Sequence, residues 1–248
     1  MNPVMYLAQY TARGVRVAVV DSGVHALHPH VGGVEQGVAV RDDGSLDDDF
    51  VDCLGHGTAV AAAIREKAPA AALVAVKVFW NALATDIASL VRGIDEASSR
   101  GASVINLSLG TKNGAHRCLL EAAVERARDH GALIVAALDE GGVQWLPGSL
   151  DGVVAVRLDW SCPRDGYRVA GSNGRRVIMA SGYPRDIPNV PRERNLKGIS
   201  FAVANASGFV ARAMEAVPGA GLSEILEALT SGITPDLQVG PASDVKAR

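Results

Sequence analysis

Short apolar runs alternate with longer stretches of helical period along most of this chain. Runs rich in valine and alanine, typical of buried strands, occur at 15–21, 73–79, 103–107, 132–137 and 152–156. Patterns of helical period predict helices over 56–67, 86–100, 115–130 and 223–231, and a long apolar helix just after Gly198. Strands alternating with helices of this length indicate an α/β fold of three layers: a doubly wound, mostly parallel sheet with helices on both faces.

Composition is consistent with one large domain. Of the 248 residues, 48% are hydrophobic, which is enough for a sizeable core, and no shift in composition marks a second domain. We therefore predict a single domain over 1–248, with a core over about 15–231 and a loosely packed tail over 232–248. A net charge of −3 gives neither the basic surplus of a nucleic-acid-binding protein nor a polybasic membrane anchor. Nucleic acids and membranes are accordingly not predicted as partners.

The cysteines and the N-terminus bear on the compartment. Cys53, Cys118 and Cys162 are odd in number, widely spaced and without the CxxC spacing of a zinc site, so a reducing compartment is the simpler interpretation. Residues 1–13 lack a charged segment followed by an apolar core, and no run of about 18 apolar residues follows later. The sequence therefore predicts a cytoplasmic protein.

Three polar residues stand at the ends of predicted elements. Asp21 closes an apolar strand, His56 opens an alanine-rich helix, and Ser200 lies at the start of the long apolar helix. Taken alone, a serine in that place is an ordinary helix N-cap. The order Asp, His, Ser at the ends of regular elements, where distant segments can converge, is the arrangement that nucleophilic acyl transfer needs. The helix N-terminus at Ser200 would also stabilise negative charge that develops nearby.

The segments around these residues resemble a known family. Residues 50–58, 104–110 and 177–182 are similar to three segments of the subtilisin-like serine proteases, or subtilases: the approach to the catalytic histidine, the substrate-binding strand and the segment before the nucleophile loop. The resemblance extends from about 15 to 217. It implies a catalytic triad of Asp21, His56 and Ser200. It also implies that the following residues bind substrate: Asp52, Leu54, Ser108, Leu109, Gly110 and Leu138.

The stretch 134–141 departs most from the family pattern. Subtilases usually have Ala-Gly-Asn there, and the asparagine donates a hydrogen bond to the oxyanion. In this chain Leu138 replaces the glycine and Asp139 replaces the asparagine. An ionised Asp139 would repel the developing charge, whereas a protonated one could donate a hydrogen bond. Leu138 is expected to narrow or block the primary specificity pocket.

Two polar clusters near the predicted triad have simple interpretations. The closely spaced histidines 25, 28 and 30 indicate a solvated loop, because Pro29 interrupts any helical face that could present them to a metal. The acidic run 41–49 lacks the spacing of an EF-hand loop and indicates a solvated turn. Because this run leads to Asp52, a preference for basic substrate residues is the alternative interpretation.

The remaining expectations follow from what the chain lacks. Many subtilases have a calcium-binding insertion and an N-terminal arm; neither is found here, and no metal or cofactor is predicted. The first predicted strand begins about fifteen residues from the N-terminus, which leaves no room for the family's folding prodomain. The basic segment 183–197 is predicted as a surface loop, or else as part of the substrate rim or a cleavage site.

The resemblance implies a serine endopeptidase that acts through an acyl-enzyme on Ser200, with a peptide or protein substrate as its partner. The small size and the unusual oxyanion position favour a dedicated intracellular enzyme that processes one precursor peptide, with general protein turnover as the alternative. A transpeptidase or macrocyclase would use the same triad. A catalytically weak or inactive peptide-binding module is the third hypothesis, which Leu138 and Asp139 favour. Nothing in the sequence indicates an oligomeric state.

Overall fold

The computed structural model describes residues 3–172 and 174–231, so the predicted tail over 232–248 lies outside the described residues. The strands in chain order are β1 (Arg16–Asp21), β2 (Gln36–Val40), β3 (Leu46–Asp47), β4 (Ala72–Lys77), β5 (Val104–Leu107), β6 (Leu133–Ala137), β7 (Asp139–Glu140), β8 (Val143–Gln144), β9 (Val154–Leu158), β10 (Tyr167–Ser172) and β11 (Arg175–Ala180). The α-helices are α1 (Pro3–Leu7), α2 (His56–Lys67), α3 (Ile87–Ser99), α4 (Arg117–Asp129), α5 (Ile199–Ala216) and α6 (Leu222–Ser231).

One large sheet organises the described residues. Its nine strands lie in the order β10-β11-β9-β6-β5-β1-β4-β2-β3. The pairs from β11 through to β2 are parallel, and only the edge strands β10 and β3 run antiparallel to their neighbours. Strand β1 lies between β4 and β5. The strands that follow β1 in the chain are therefore first added on the β4 side of β1 and later, from β5 onwards, on its other side. In sheets of this kind ligands bind at the carboxyl ends of the strands near such a reversal.

Helices cover both faces of the sheet, which explains the continuous apolar runs in the sequence. Along β1, Val17 and Val19 pack into the core shared with α2 and α5, whereas Ala18 and Val20 pack into the core shared with α3 and α4. Side chains alternate between the faces of a strand, and here each face meets a helix layer, so every position must be apolar. The predicted three-layer α/β fold is confirmed.

The sequence predicts the central elements better than those at the edges. Helix α2 has the predicted bounds. Helix α3 is one residue shorter than predicted at each end. Strands β2 and β10 and the five-residue α1 were not predicted, because short edge elements carry little hydrophobic periodicity. Among the described helices, none is both long and apolar enough to span a membrane.

Candidate active site

Asp21 and His56 form a hydrogen-bonded pair at the carboxyl end of β1. The Asp21 side chain is fully buried, and His56 Nδ1 lies 2.8 Å and 3.0 Å from its two carboxylate oxygens. The backbone N–H of Ser22 also donates to Asp21 Oδ1 over 2.7 Å. With Nδ1 held by the carboxylate, Nε2 is the ring nitrogen left free for proton transfer.

A close approach between α2 and the end of β1 makes this contact possible. A Cβ atom added to Gly57 would lie 2.2 Å from the carbonyl oxygen of Gly23 and 3.1 Å from Asp21 Cβ. Only glycine therefore fits directly after His56 without moving the helix away from the strand. The N–H of Gly57 donates to Ser22 Oγ over 2.9 Å, which ties the two segments together.

Asp52 holds the N-terminus of α2. Its Oδ2 accepts hydrogen bonds from the N–H and the hydroxyl of Thr58, at 2.8 Å and 2.6 Å. Its Oδ1 accepts from the hydroxyl of Ser22 and from the N–H groups of Leu54 and Gly55, at 2.9, 2.9 and 2.8 Å. Burial raises the pKa of Asp52, but the hydrogen bonds from Thr58 and the backbone outweigh this and hold the pKa below its usual value. Asp52 is thus a positioning residue for His56.

The charges around His56 shift its titration. Burial lowers the pKa of His56, but the hydrogen bond and the charge of Asp21 outweigh burial, and the charge of Asp52 adds to them. The pKa of His56 is therefore raised above its usual value near 6.5. If neutral His56 is the base, activity should rise with pH through this raised pKa.

We expect Asp52→Asn to displace the rising limb of the pH profile. Removing a negative charge lowers the pKa of His56, so the limb should move to lower pH. The amide NH₂ also cannot accept from the N–H groups at the start of α2, which should lower the free energy of unfolding by about 1–2 kcal/mol. Hydrolysis measured from pH 5 to 9 and denaturant unfolding test both effects. Asp95→Asn, which removes the charge of a partly exposed ion pair between α3 and Arg126 of α4, is the control. An unchanged profile would mean that Asp52 does not act on His56.

Ser200 lies in the first turn of α5 and faces the same cleft as His56. Gly198 precedes the helix with φ of 146°, a conformation that favours glycine, and its N–H donates to the carbonyl oxygen of Gly182. The Ser200 hydroxyl donates to the carbonyl oxygen of Ser108 over 3.2 Å, and the Ser108 hydroxyl donates to the carbonyl oxygen of Ser200 over 3.0 Å. The start of α5 is thereby fixed against the segment that follows β5.

A buried polar chain supports this contact from inside the protein. Asn106, fully buried on β5, donates through Nδ2 to Ser108 Oγ over 3.0 Å. Its Oδ1 accepts from the hydroxyl of Ser207 on α5, also over 3.0 Å. Since buried polar groups are costly unless they are paired, these bonds fix the register of α5 against β5.

The cleft has a volume of about 650 Å³ and contains both His56 and Ser200 in its wall. Of the predicted substrate-binding residues, Ser108, Leu109 and Gly110 line it. Leu54 is not in this wall as the described residues define it; it is 36% exposed, and its N–H donates to Asp52. Asp52 lines a different cavity, on the other side of the first turn of α2.

Leu138, which we expected to narrow or block the primary specificity pocket, is not among the described residues that line the cleft. The Leu138 side chain is buried and packs with Ala155 and Val177. Its neighbour Ala137 lines the cleft instead. Successive side chains of an extended chain point to opposite faces, so the large residue faces away from the cleft and the small one faces into it.

Asp139 is held by Arg157 of the neighbouring strand β9. Arg157 Nε lies 3.1 Å and 2.9 Å from the two carboxylate oxygens of Asp139, and Arg157 Nη2 lies 2.6 Å from Oδ2. The hydrogen bond that Arg157 donates to Asp139, together with the charge of Asp139, outweighs burial and raises the pKa of Arg157. A carboxylate that accepts on both oxygens from one guanidinium is in its ionised form. This geometry favours the ionised alternative for Asp139 over the protonated one.

Sequence reasoning missed other residues of the cleft. The segment before α3 contributes Leu83, Thr85 and Asp86, and the loop after β8 contributes Trp145. Trp145 packs against the backbone at Gly110, where an added Cβ would lie 3.3 Å from its ring, and Lys112 Nζ lies 4.9 Å from the ring centroid. An isolated tryptophan in a glycine-rich stretch was the signal available in the sequence.

No group of three or more potential metal ligands is found among residues 3–172 and 174–231. The three histidines of the predicted solvated loop pack against one another, with ring centroids 6.5 Å and 5.2 Å apart.

We expect EDTA to change the melting temperature by less than about 2 °C, as calorimetry with and without added Ca²⁺ would show. A large loss that Ca²⁺ reverses would reveal a metal site.

Comparisons with known proteins find similar sequences over most of the chain. A model of the subtilase family, Peptidase S8, matches residues 12–236. Subtilisin DY of Bacillus licheniformis is 28% identical over 250 residues, covering 91% of this chain and 85% of the relative. A thermostable alkaline protease of Halalkalibacterium halodurans is 30% identical over 235 residues; the match covers 89% of this chain but only 62% of that protease.

Solved structures of other proteases are also similar to this chain. The prenylagaramide maturation protease PagA is similar with a TM-score of 0.64 and 27% identity, covering 87% of this chain and 80% of PagA. A cold adapted subtilisin-like serine proteinase has a TM-score of 0.70 at 22% identity, covering 92% of this chain and 85% of its own, and so shows the fold alone. Because the family model spans most of the sequence, the chain belongs to the subtilase family of serine proteases.

Proposed function

We propose that this protein is a serine endopeptidase with Ser200 as the nucleophile, His56 as the general base and Asp21 as the group that orients His56. The observation that carries the proposal is the hydrogen bond of His56 Nδ1 to the buried Asp21, in a cleft whose wall also contains Ser200. A base oriented by a third group beside a hydroxyl is the constellation of nucleophilic acyl transfer.

The reaction follows the usual two steps. His56 Nε2 takes the proton of Ser200 as Oγ attacks the peptide carbonyl, and it returns that proton to the leaving amine when the C–N bond breaks. Water then attacks the acyl-enzyme, and His56 passes the proton of the water to Ser200 as the ester bond breaks. Throughout, Asp21 stays ionised and stabilises the imidazolium.

The Ser200 hydroxyl has to change partner before it can react. In the described structure it donates to the Ser108 carbonyl oxygen, so the hydroxyl has to rotate until its proton points to His56. Hydrogen bonds of this kind are commonly misaligned before substrate binds. A peptide strand seated along residues 108–110 would favour this rotation by occupying the same polar edge.

The start of α5 stabilises the oxyanion in this proposal. The N–H of Ser200 is in the first turn, where N–H groups lack partners within the helix and the helix dipole is positive. An ionised Asp139 held by Arg157 supplies no donor. Losing one donor costs about 10²–10³ in kcat, which is consistent with a slow enzyme dedicated to one substrate.

Two observations support intracellular processing of a precursor peptide. The similarity to PagA, a maturation protease, supports a maturation role. All three cysteines are free, with Cys53 and Cys118 exposed, as suits a reducing compartment. We therefore propose a cytoplasmic protein that acts on one peptide precursor.

The test is labelling with a fluorophosphonate, followed by mass spectrometry of the peptide that contains Ser200. We expect stoichiometric labelling of the wild type and none of Ser200→Ala, whereas Ser99→Ala, an exposed serine on α3, should label normally. No labelling between pH 6 and 9 would favour the inactive peptide-binding module. A labelled enzyme that joins a supplied amine to the acyl fragment faster than water would favour the transpeptidase.

A further inference from the structure

A second cavity, of about 500 Å³, lies on the other side of the first turn of α2 from the cleft. We call it the basic groove, and six residues define it: His30, Arg185, Ile187, Val190, Arg194 and Leu196. All but His30 come from the segment that leads into Ser200. The function proposed above makes no use of this groove.

The wall of the basic groove is unusually apolar for a surface loop. Ile187, Val190 and Leu196 are 44%, 38% and 49% exposed. Scattered apolar residues are normal on a protein surface, but three in one cavity wall are typical of a binding site. The wall is also held in shape: Asn195 Nδ2 donates to the carbonyl oxygen of Arg185 over 3.1 Å, and Arg164 pairs with Asp186 over 3.2 Å.

The groove carries more positive than negative charge, because its wall contains two arginines, Arg185 and Arg194, and one carboxylate, Asp52. Among the described residues, no carboxylate pairs with Arg194 or Arg185; the guanidinium of Arg185 lies 3.4 Å from the carbonyl oxygen of His30. The acid in the wall, Asp52, uses both of its oxygens to hold α2. Burial, followed by the charge of Arg185, lowers the pKa of His30. In a chain of net charge −3, this local surplus of positive charge favours an acidic ligand.

Arg192, in the same segment, differs from Arg194 in its surroundings. It lies outside the groove wall, 3.7 Å from Asp186, and its guanidinium sits 5.1 Å from the ring centroid of Tyr183. An arginine that is only solvent-exposed thus finds an acidic and an aromatic partner in this loop. Arg194 faces the groove instead.

The groove and the cleft flank the catalytic pair. Gly55 and Thr58 line the groove, while His56 between them lines the cleft. On the other wall, 194–196 line the groove and 199–200 line the cleft. A peptide whose acyl part lies along 108–110 in the cleft would pass Ser200 and continue into the groove.

We propose that the basic groove binds the part of the substrate that follows the cleaved bond, and that it selects substrates with acidic side chains among apolar ones there. The position relative to the cleaved bond rests on the proposed peptidase function; the preference for an acidic, apolar peptide does not. Basic substrate residues, the alternative that the acidic run 41–49 raised, would be repelled from this groove.

Binding to the Ser200→Ala variant tests the ligand class without any need for catalysis. We would measure fluorescence anisotropy of a labelled peptide Leu-Glu-Ile-Glu-Leu and of its counterpart Leu-Lys-Ile-Lys-Leu. The acidic peptide should bind, and its affinity should fall as NaCl is added. The basic peptide should not bind. Adding the Arg194→Gln substitution should lower the affinity for the acidic peptide roughly tenfold, the loss expected for one hydrogen bond to a charged group. The matched Arg192→Gln should have no effect.

Cleavage of a random peptide library tests whether the basic groove binds the part of the substrate that follows the cleaved bond. Wild-type products should show acidic residues enriched in the few positions after the cleaved bond, and Arg194→Glu should reverse this preference while leaving the preference before the bond unchanged. Equal binding of both peptides, equal effects of the two arginine substitutions, or enrichment confined to positions before the bond would each overturn the proposal. A concentration-dependent dimer that Arg194→Gln dissociates would also overturn it, since a second copy's acidic run 41–49 would then occupy the groove. If the library is not cleaved and Ser200 takes up no fluorophosphonate, the peptidase function fails, and the anisotropy measurement still decides the ligand class.

Discussion

Replacing Ser200 or His56 by alanine is expected to lower kcat for peptide hydrolysis by about 10⁶, the scale known for subtilisin itself when either residue is removed. Each substitution removes a group that the transition state needs, the attacking oxygen in one case and the proton acceptor in the other. The double variant should be scarcely slower than either single one, because the two groups act as a unit. The measurement is kcat on a library peptide that the wild type cleaves.

Stability measurements separate this effect from unfolding. Ser200→Ala loses the 3.2 Å hydrogen bond to the Ser108 carbonyl oxygen, which is worth about 1 kcal/mol, so the free energy of unfolding should change little. Ser108→Ala gives a comparison: it leaves the nucleophile in place but removes both the reciprocal bond to the Ser200 carbonyl oxygen and the acceptor of the buried Asn106 amide, so it should destabilise the fold more than Ser200→Ala does. If Ser200→Ala kept wild-type kcat while remaining folded, another nucleophile would be at work.

The sequence predicts the central part of this fold because local signals and tertiary structure agree there. Both faces of β1 are buried, so its apolar run is continuous, and its end is marked by a carboxylate that no core would accept unpaired. Gly57 follows His56 because the helix must approach the strand closely. The local pattern thus points directly to Asp21 and His56 as neighbours in space.

Long-range pairing explains most of what the sequence did not predict. Arg157 lies 18 residues after Asp139, and only the neighbouring positions of β6 and β9 in the sheet bring the two side chains together. Likewise, the basic segment and the histidine loop are more than 150 residues apart, so the cavity between them has no local signature. The orientation of Leu138 could have been predicted from strand alternation, once Ala137 was assigned to the cleft.

We expect Asp139→Asn to raise kcat by about tenfold or more at neutral pH. In the wild type, Arg157 holds Asp139 as an anion, which cannot donate a hydrogen bond to the oxyanion. Asp139 is not among the described residues that line the cleft, and its oxyanion position is what the family resemblance implies. At that position an asparagine can accept from Arg157 through its carbonyl oxygen and offer its NH₂ group to the oxyanion, where one donor is worth about 10²–10³ in kcat. The ion pair is partly exposed, with Arg157 36% exposed, so its loss should cost at most about 1 kcal/mol of stability.

Asp139→Ala distinguishes donation from loss of charge. Alanine removes the carboxylate without supplying a donor, so a gain with asparagine alone would show that donation matters, and an equal gain with both would show that repulsion by Asp139 was the whole effect. Arg157→Gln removes the guanidinium but keeps Asp139, and it should not raise kcat, because the carboxylate remains without a proton to donate. A lower kcat for Asp139→Asn at every pH from 6 to 10 would contradict the argument. In that case the ion pair of Asp139 with Arg157 would itself be needed for activity, as a support for the segment between β6 and β9 that forms one wall of the cleft.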